Sequence, residues 1–355
     1  MIHGGNVWEG DPKSWLDFSA NLRPEGPPEW VKDVLVRSLD HVRYYPDRSM
    51  RSARAGLAHY LELPEEQVLP TAGGAAAIDL ILSAEKGRVL IPQPSFGEYA
   101  ARAAVHGRET VLLGNTTGKG VGLPHSGSLS SVSTEKAAVP KGPVTPRKGD
   151  ALVLCNPNNP DGRLLSAGQI MTEYDKVHAV SADLLVDEAF IGFAPEESVR
   201  HMVRPGLLVA GSMTKVLCIP GIRLGYIAGD AAAVATLAER MLPWSISTQA
   251  AEIAAALPDH LEELQEDCRL NARRRAIFAR QLAALGADVS PSAANFLLVR
   301  FPREMQDTVR ALKQRGILVR TCESFGLSAH YLRLAVRLEE ENERLISELK
   351  NALQS

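Results

Sequence analysis

Short apolar runs punctuate the chain in RVLIPQPSFGEY (88–99), ALVLCNPNNPDG (151–162), DLLVDEAFIGF (183–193), LLVA (207–210) and the stretch 224–228. Runs of this length, bounded by turn residues, read as strands buried on both faces. Between them apolar positions return every three or four residues, the period of a helix with one buried face. Val31, Val34, Leu35 and Leu39 mark a helix from Glu29 to about Leu39, and Ala53, Leu57 and Leu61 mark a second over 50–61. TAGGAAAIDLILS (71–83) is a glycine-containing turn that opens an apolar helix, and further helices are expected at 166–179, 230–240 and 259–285. Strands that alternate with helices predict an α/β protein with a parallel-rich sheet. From 286 onward the alternation continues through NFLLVRF, a helix at 303–314, ILVRTC, HYLRLAVR and a closing helix from Glu339, which reads as a smaller α+β unit. We therefore expect a large domain over 41–245, with the arm 1–40 joining 246–355 as a small one.

Elsewhere the pattern lapses. Glycines and prolines exclude long regular structure from residues 1–30, and 114–149 is an irregular excursion rich in Gly, Ser, Thr, Lys and Pro. Pro46 in RYYPD (43–47) ends a helix and keeps the preceding tyrosines extended. The triplet Arg273, Arg274, Arg275 reads as a solvated face of the long helix.

Composition narrows the function classes. A net charge of −3 with only 5% aromatic residues gives no footprint for nucleic acid and no base-stacking platform. No run approaches the roughly 18 apolar residues that span a bilayer, and the first residues lack a signal-peptide core, so a cytoplasmic location is expected. The four cysteines are widely spaced and form no metal pattern.

The chemistry concentrates in 207–226, LLVAGSMTKVLCIPGIRLGY. A lone lysine after a strand is ordinarily a surface residue. Lys215, however, follows a buried run, where α/β sheets bind ligands. Ser212 and Thr214 precede it and Arg223 follows, a set suited to a small dianion. The glycine turn at 71–75 supplies backbone N–H groups at a helix start, a second phosphate seat. Asp187 ends an apolar run, either as a helix cap or as the partner of a buried cation. Phe96 and Tyr99 are either core packing or rings laid against a planar ligand.

Three motifs, NPNNPDG, LLVDEAF and SMTKVLCIPGIRLGY, in this order, resemble the fold-type I, aspartate-aminotransferase-like pyridoxal-phosphate (PLP) enzymes over nearly the whole chain. The resemblance implies a large domain with a mostly parallel seven-stranded sheet between helices, a small α+β domain, and a homodimer with shared sites. It makes Lys215 the Schiff-base lysine, Asp187 the partner of the pyridine nitrogen and Asn159 the donor to the ring oxygen. Ser212, Thr214, Arg223 and the backbone of Gly73, Gly74 and Ala75 would hold the cofactor phosphate, Tyr99 would stack on the ring, and Tyr45 would reach the phosphate of the neighbouring subunit. No metal is implied. Asp161 stands where the family usually has threonine, and Gly74 and Ala75 replace polar side chains common in related members.

HGGN (3–6), LDFSAN (16–21), RYYPD, DEAFIGF and PWS (243–245) resemble more closely the branch that decarboxylates threonine phosphate in cobalamin biosynthesis. Histidinol-phosphate aminotransferases usually carry tyrosine where Phe190 stands. On the decarboxylase resemblance Arg333 would take the substrate's α-carboxylate, with His3, Asn21 and Arg320 around its phosphate and Asn159 alongside. The alternative is an aminotransferase acting on a phosphorylated substrate such as histidinol phosphate.

Overall fold

A computed structural model describes residues 4–84, 86–114 and 144–354. His3 and residues 115–143 of the excursion lie outside the described residues. In chain order the strands are β1 (Leu16–Asp17), β2 (Val68–Thr71), β3 (Val89–Pro92), β4 (Thr110–Leu113), β5 (Ala151–Cys155), β6 (Asp183–Asp187), β7 (Leu207–Ser212), β8 (Gly225–Ala228), β9 (Asp288–Val289), β10 (Phe296–Arg300), β11 (Ile317–Leu318), β12 (Arg320–Thr321) and β13 (Tyr331–Ala335).

Seven of these form one sheet in the order β2-β8-β7-β6-β5-β3-β4. It is parallel except for β8, which runs against both β2 and β7. The central strands are apolar throughout because helices cover both faces. Leu69, Val153, Leu185 and Ala210 pack under helices Gly74–Leu82 and Glu98–Val105, while Leu152, Leu154, Leu184 and Val209 meet helix Ala167–His178 on the other side. Local signals fix the helix starts. Ser166 and Gln169 form a reciprocal capping box, and Asp230 and Ser247 cap the helices after them.

Sequence periodicity did not single out β2 and β4. Each is four residues long, and β2 contains Pro70, which survives because β2 is an edge strand paired only with β8. The strand expected over 183–193 ends at Asp187. There the Asp187 carboxylate accepts the N–H of Ala189 and turns the chain.

The remaining strands build a four-stranded antiparallel sheet, β12-β13-β10-β9, and a short parallel pair, β1 with β11. Their core gathers Phe18, Phe278, Leu297, Phe301, Leu332 and Leu345. The arm is thus stitched to the C-terminal strands: Phe18 donates to Leu318 and accepts from Ala335. Helices Glu29–Ser38 and Thr248–Ala256 share a further core with helix Arg51–Leu61 and with Met213, Leu217 and Leu224 of the lysine segment.

Of the arginine triplet only Arg273 lies on a solvated face. Arg274 is buried and pairs with Glu25 and Glu339, and Arg275 donates to the carbonyl of Ala294. Arg274 thus clamps the arm and the C-terminal helix to the long helix Leu261–Ala284, a tertiary use that charge patterning along one helix cannot reveal.

Candidate functional site

Parallel pairing brings the carboxyl ends of β5, β6 and β7 to one edge. Cys155 stands opposite Asp187, and Asp187 opposite Ala210. The loops that leave this edge carry Asn159, Phe190 and Lys215, and all three line one cavity of about 800 Å³. Asp187, Tyr99, Ser212, Thr214 and Arg223 line it too, as do Asn21, Arg320 and Arg333 from the arm and the small sheet. The two glycine-turn residues on the wall are Gly74 and Ala75. Gly73 lies behind them, with a positive φ of 86° and so close to Arg223 that a Cβ there would come within 2.7 Å of its Nη2.

The lysine end is electrostatically prepared. Burial, with the charges of Arg333 and Arg223, lowers Lys215 to about 8, which brings a neutral, nucleophilic amine within reach of physiological pH. Its Nζ stands 5.9 Å from the centroid of the Phe190 ring, which packs edge-on against Phe296. Asp187 is buried in the same wall. Burial raises its pKa, opposed by hydrogen bonds from the Tyr99 hydroxyl and the Ala189 N–H. It therefore both caps a turn and offers a buried carboxylate that a cation would stabilise. Tyr99 sits in the first turn of helix Glu98–Val105 rather than in a loop.

An anion seat closes one side. Helix Gly74–Leu82 begins with no side-chain cap, leaving its first N–H groups for a ligand. The Ser212 and Thr214 hydroxyls lie 2.7 Å apart, and Arg223 is held by the carbonyl of Pro220.

A second cationic group lines the same cavity. Arg320 and Arg333 are direct cross-strand partners in β12 and β13, and both are buried. Like charges placed so are destabilising by themselves, and a bound anion would offset this. Burial lowers Arg333 to about 10. It donates to Asn159 Oδ1 and to the Ser19 carbonyl, each at 2.7 Å, while its Nε has no partner. Arg320 donates to Ser324. Asn21 Oδ1 is likewise buried without a partner.

Tyr45 does not line this cavity. It is 82% exposed and packs on Trp244. Several lining residues carry no distinctive sequence signal: Ser19, Arg23, Cys155, Ser324, Phe325 and Arg337. Ser19 lies inside LDFSAN, so the motif marked its segment, though not its use. Among the described residues no group of acidic, His or Cys side chains could hold a metal ion, and no helix is long and apolar enough to cross a membrane.

The donor set fits pyridoxal phosphate: a buried amine of lowered pKa for the aldehyde, a buried carboxylate for the ring nitrogen, and an uncapped helix start with hydroxyls and a guanidinium for the phosphate. A family model, aminotransferase class I and II, matches residues 13–349. The chain is 34% identical to threonine-phosphate decarboxylase of Salmonella typhimurium, across 99% of this chain and 96% of that one. It is 31% identical to a histidinol-phosphate aminotransferase of Desulfitobacterium hafniense, across 95% and 91%. The crystal structure of L-threonine-O-3-phosphate decarboxylase from Porphyromonas gingivalis superposes with a TM-score of 0.79 at 26% identity, covering 95% of this chain and 99% of that one. The chain belongs to the aminotransferase class I and II family, whose cofactor is pyridoxal phosphate.

Proposed function

We propose that this chain decarboxylates L-threonine O-3-phosphate to (R)-1-aminopropan-2-yl phosphate, the aminopropanol arm of cobalamin. The observation that carries the reading is the buried cross-strand pair Arg320 and Arg333 beside Lys215. It offers two guanidinium groups to a small substrate with two anionic groups. The identity to the Salmonella decarboxylase along the full chain supports the same reading.

Bound pyridoxal phosphate supplies an electron sink for the pair left when a bond to the substrate's Cα breaks. The protein's part is binding and orientation. Ser212, Thr214, Arg223 and the N–H groups at Gly74 and Ala75 would hold the cofactor phosphate, Asp187 the ring nitrogen and Asn159 the ring oxygen. Arg333 would grip the α-carboxylate and Arg320 and Asn21, with His3, the phosphate. Arg333 would hold the α-carboxylate in the orientation that lets its bond to Cα break. Carbon dioxide leaves, and Lys215, whose lowered pKa lets it carry a proton either way, would deliver that proton to Cα.

The reading includes a cytoplasmic homodimer. Tyr45 and Trp244 are exposed and their rings pack together, and Leu39, Val42, Tyr44 and Leu242, near them in the sequence, are exposed as well; exposed apolar side chains of this kind suit a protein contact. It also includes the division into a cofactor domain (41–245) and a small domain with the arm (1–40 and 246–355).

The test is purified protein with pyridoxal phosphate and O-phosphothreonine, without any oxo acid. Sustained carbon dioxide release with an amino-alcohol phosphate product is expected. Conversion of the cofactor to its pyridoxamine form without carbon dioxide would replace the decarboxylase reading with the aminotransferase one.

A further inference from the structure

Every polar group of Ser19 is engaged. Its backbone N–H and its hydroxyl both donate to Asp17 Oδ1, at 2.7 and 2.6 Å. The hydroxyl oxygen accepts the N–H of Gly5 at 2.8 Å, and the carbonyl accepts from Arg333 Nη2 at 2.7 Å. Gly4 lies against that same carbonyl so closely that a Cβ at position 4 would stand 2.0 Å from the oxygen. One buried residue thus carries the seat of the arm on its side chain and the orienting acceptor of Arg333 on its backbone.

The geometry makes these two jobs dependent. The segment before Ser19 is fixed: Asp17 pairs with Leu318, and Phe18 is bonded on one side to Leu318 of β11 and on the other to Ala335 of β13. What remains to set the direction of the Ser19 carbonyl is the hydroxyl bridge between Asp17 and Gly5, together with the close approach of Gly4. Arg333 has two acceptors, Ser19 and Asn159, and its Nε is left without one. Two fixed acceptors determine the plane of a guanidinium and so determine which N–H groups remain for a carboxylate.

We propose that Ser19 is a positioning residue that couples the seating of the arm at Gly4–Gly5 to the orientation of Arg333. Substrate is gripped well only while the arm is seated. The role requires that Gly4 have no side chain and that residue 19 carry a hydroxyl. It rests on Arg333 as the carboxylate site, which the decarboxylase and aminotransferase readings share.

The test compares wild type, Ser19→Ala, Ser19→Thr and Gly4→Ala as holoenzymes. Three quantities are read: exchange of the Gly5 amide hydrogen, affinity for O-phosphothreonine from the change in the cofactor's absorbance, and steady-state turnover. Loss of a hydrogen bond that orients a charged group is worth roughly a factor of ten. Ser19→Ala is therefore expected to deprotect the Gly5 amide and to weaken substrate binding about tenfold, with KM raised more than kcat is lowered. Ser19→Thr should restore both to within about threefold, and Gly4→Ala should weaken substrate binding while leaving cofactor absorbance as in wild type. The proposal is overturned if Ser19→Ala exposes the Gly5 amide but substrate affinity stays within twofold of wild type, or if Ser19→Thr fails to rescue either quantity. Absence of carbon dioxide release in wild type would refute the decarboxylase reading alone, since amide exchange and substrate affinity are read without turnover.

Discussion

The hydroxyl of Tyr99 donates to Oδ2 of Asp187 at 2.6 Å. The ring that the family resemblance lays against the cofactor therefore also orients the carboxylate that we propose for the ring nitrogen. Tyr99 is fully buried, and its own pKa is pushed well above the usual range, by burial first and the adjacent carboxylate second. It acts as a permanent donor.

Tyr99→Phe separates the two roles, because it keeps the aromatic face and deletes the donor. Asp187 then retains the Ala189 N–H on Oδ1, and its buried pKa rises further, so the neutral acid competes with the anion. A bond of this charged type is worth about 1.5–3 kcal/mol. We expect kcat to fall roughly tenfold or more with pyridoxal phosphate still bound, and Tyr99→Leu to lose cofactor affinity as well. Wild-type turnover in Tyr99→Phe would show that the hydroxyl is dispensable.

The lowered pKa of Lys215 sets the pH dependence of cofactor capture. Only the neutral amine attacks an aldehyde, so the rate at which cofactor-free protein takes up pyridoxal phosphate should rise with pH and level off above about 8. At pH 6 roughly one amine in a hundred would be neutral. An ordinary exposed lysine would keep accelerating past pH 10. Absorbance-detected uptake across pH decides between these, and Lys215→Ala should abolish the visible absorbance of the bound cofactor.

Much of this site was legible because its chemistry sits at the ends of long apolar runs. Lys215, Asp187 and Asn159 each follow a buried strand, and parallel pairing of adjacent strands leaves their loops one place to meet. The cross-strand meeting of Arg320 and Arg333 depends on an antiparallel register that the sequence does not display. Ser19 and Arg274 act through partners more than 200 residues away, Arg333 for the first and Glu25 for the second, and no local pattern encodes such a pairing. The sequence marks Tyr99 as an aromatic candidate of the site, but its hydroxyl bond to Asp187 depends on how helix Glu98–Val105 packs on the sheet.

Next to Asp187 lies an acid with a different task. Glu188 is buried and accepts from the Ser198 hydroxyl and the Val199 N–H. Burial raises it to about 7. Its folded pKa exceeds the unfolded value, so between about pH 4.5 and 7 the folded state holds a proton that the unfolded state has lost, and stability declines as pH rises through that window. Glu188→Gln removes the titration but keeps the shape. The variant should unfold at a higher temperature than wild type at pH 8, by about 2 °C or more, and the difference should vanish near pH 4.5. A pH-independent difference in thermal melts would exclude this account.

Gly225 opens β8, sandwiched between β2 and β7. A Cβ at position 225 would stand 2.6 Å from the carbonyl carbon of Gly73 and 2.7 Å from both the Gly74 nitrogen and the Gly211 oxygen. All three are backbone atoms, so no rotamer change relieves the contact. Gly225→Ala must lift the Gly73–Gly74 turn away from the sheet, and with it the helix start that faces Ser212 and Arg223. Overpacking of this kind costs about 1–3 kcal/mol, and here part of that cost falls on the ligand's side of the turn. We expect affinity for pyridoxal phosphate to fall about tenfold, with Lys215 still reactive at saturating cofactor and with the melting temperature lowered. Gly168→Ala is the control: its nearest neighbour would be the Ser166 hydroxyl at 3.9 Å, far from the cavity walls, and it should bind cofactor as wild type does. Equal cofactor affinity in Gly225→Ala and Gly168→Ala would mean that the turn tolerates displacement and that backbone donors at Gly74 and Ala75 contribute little to holding the phosphate.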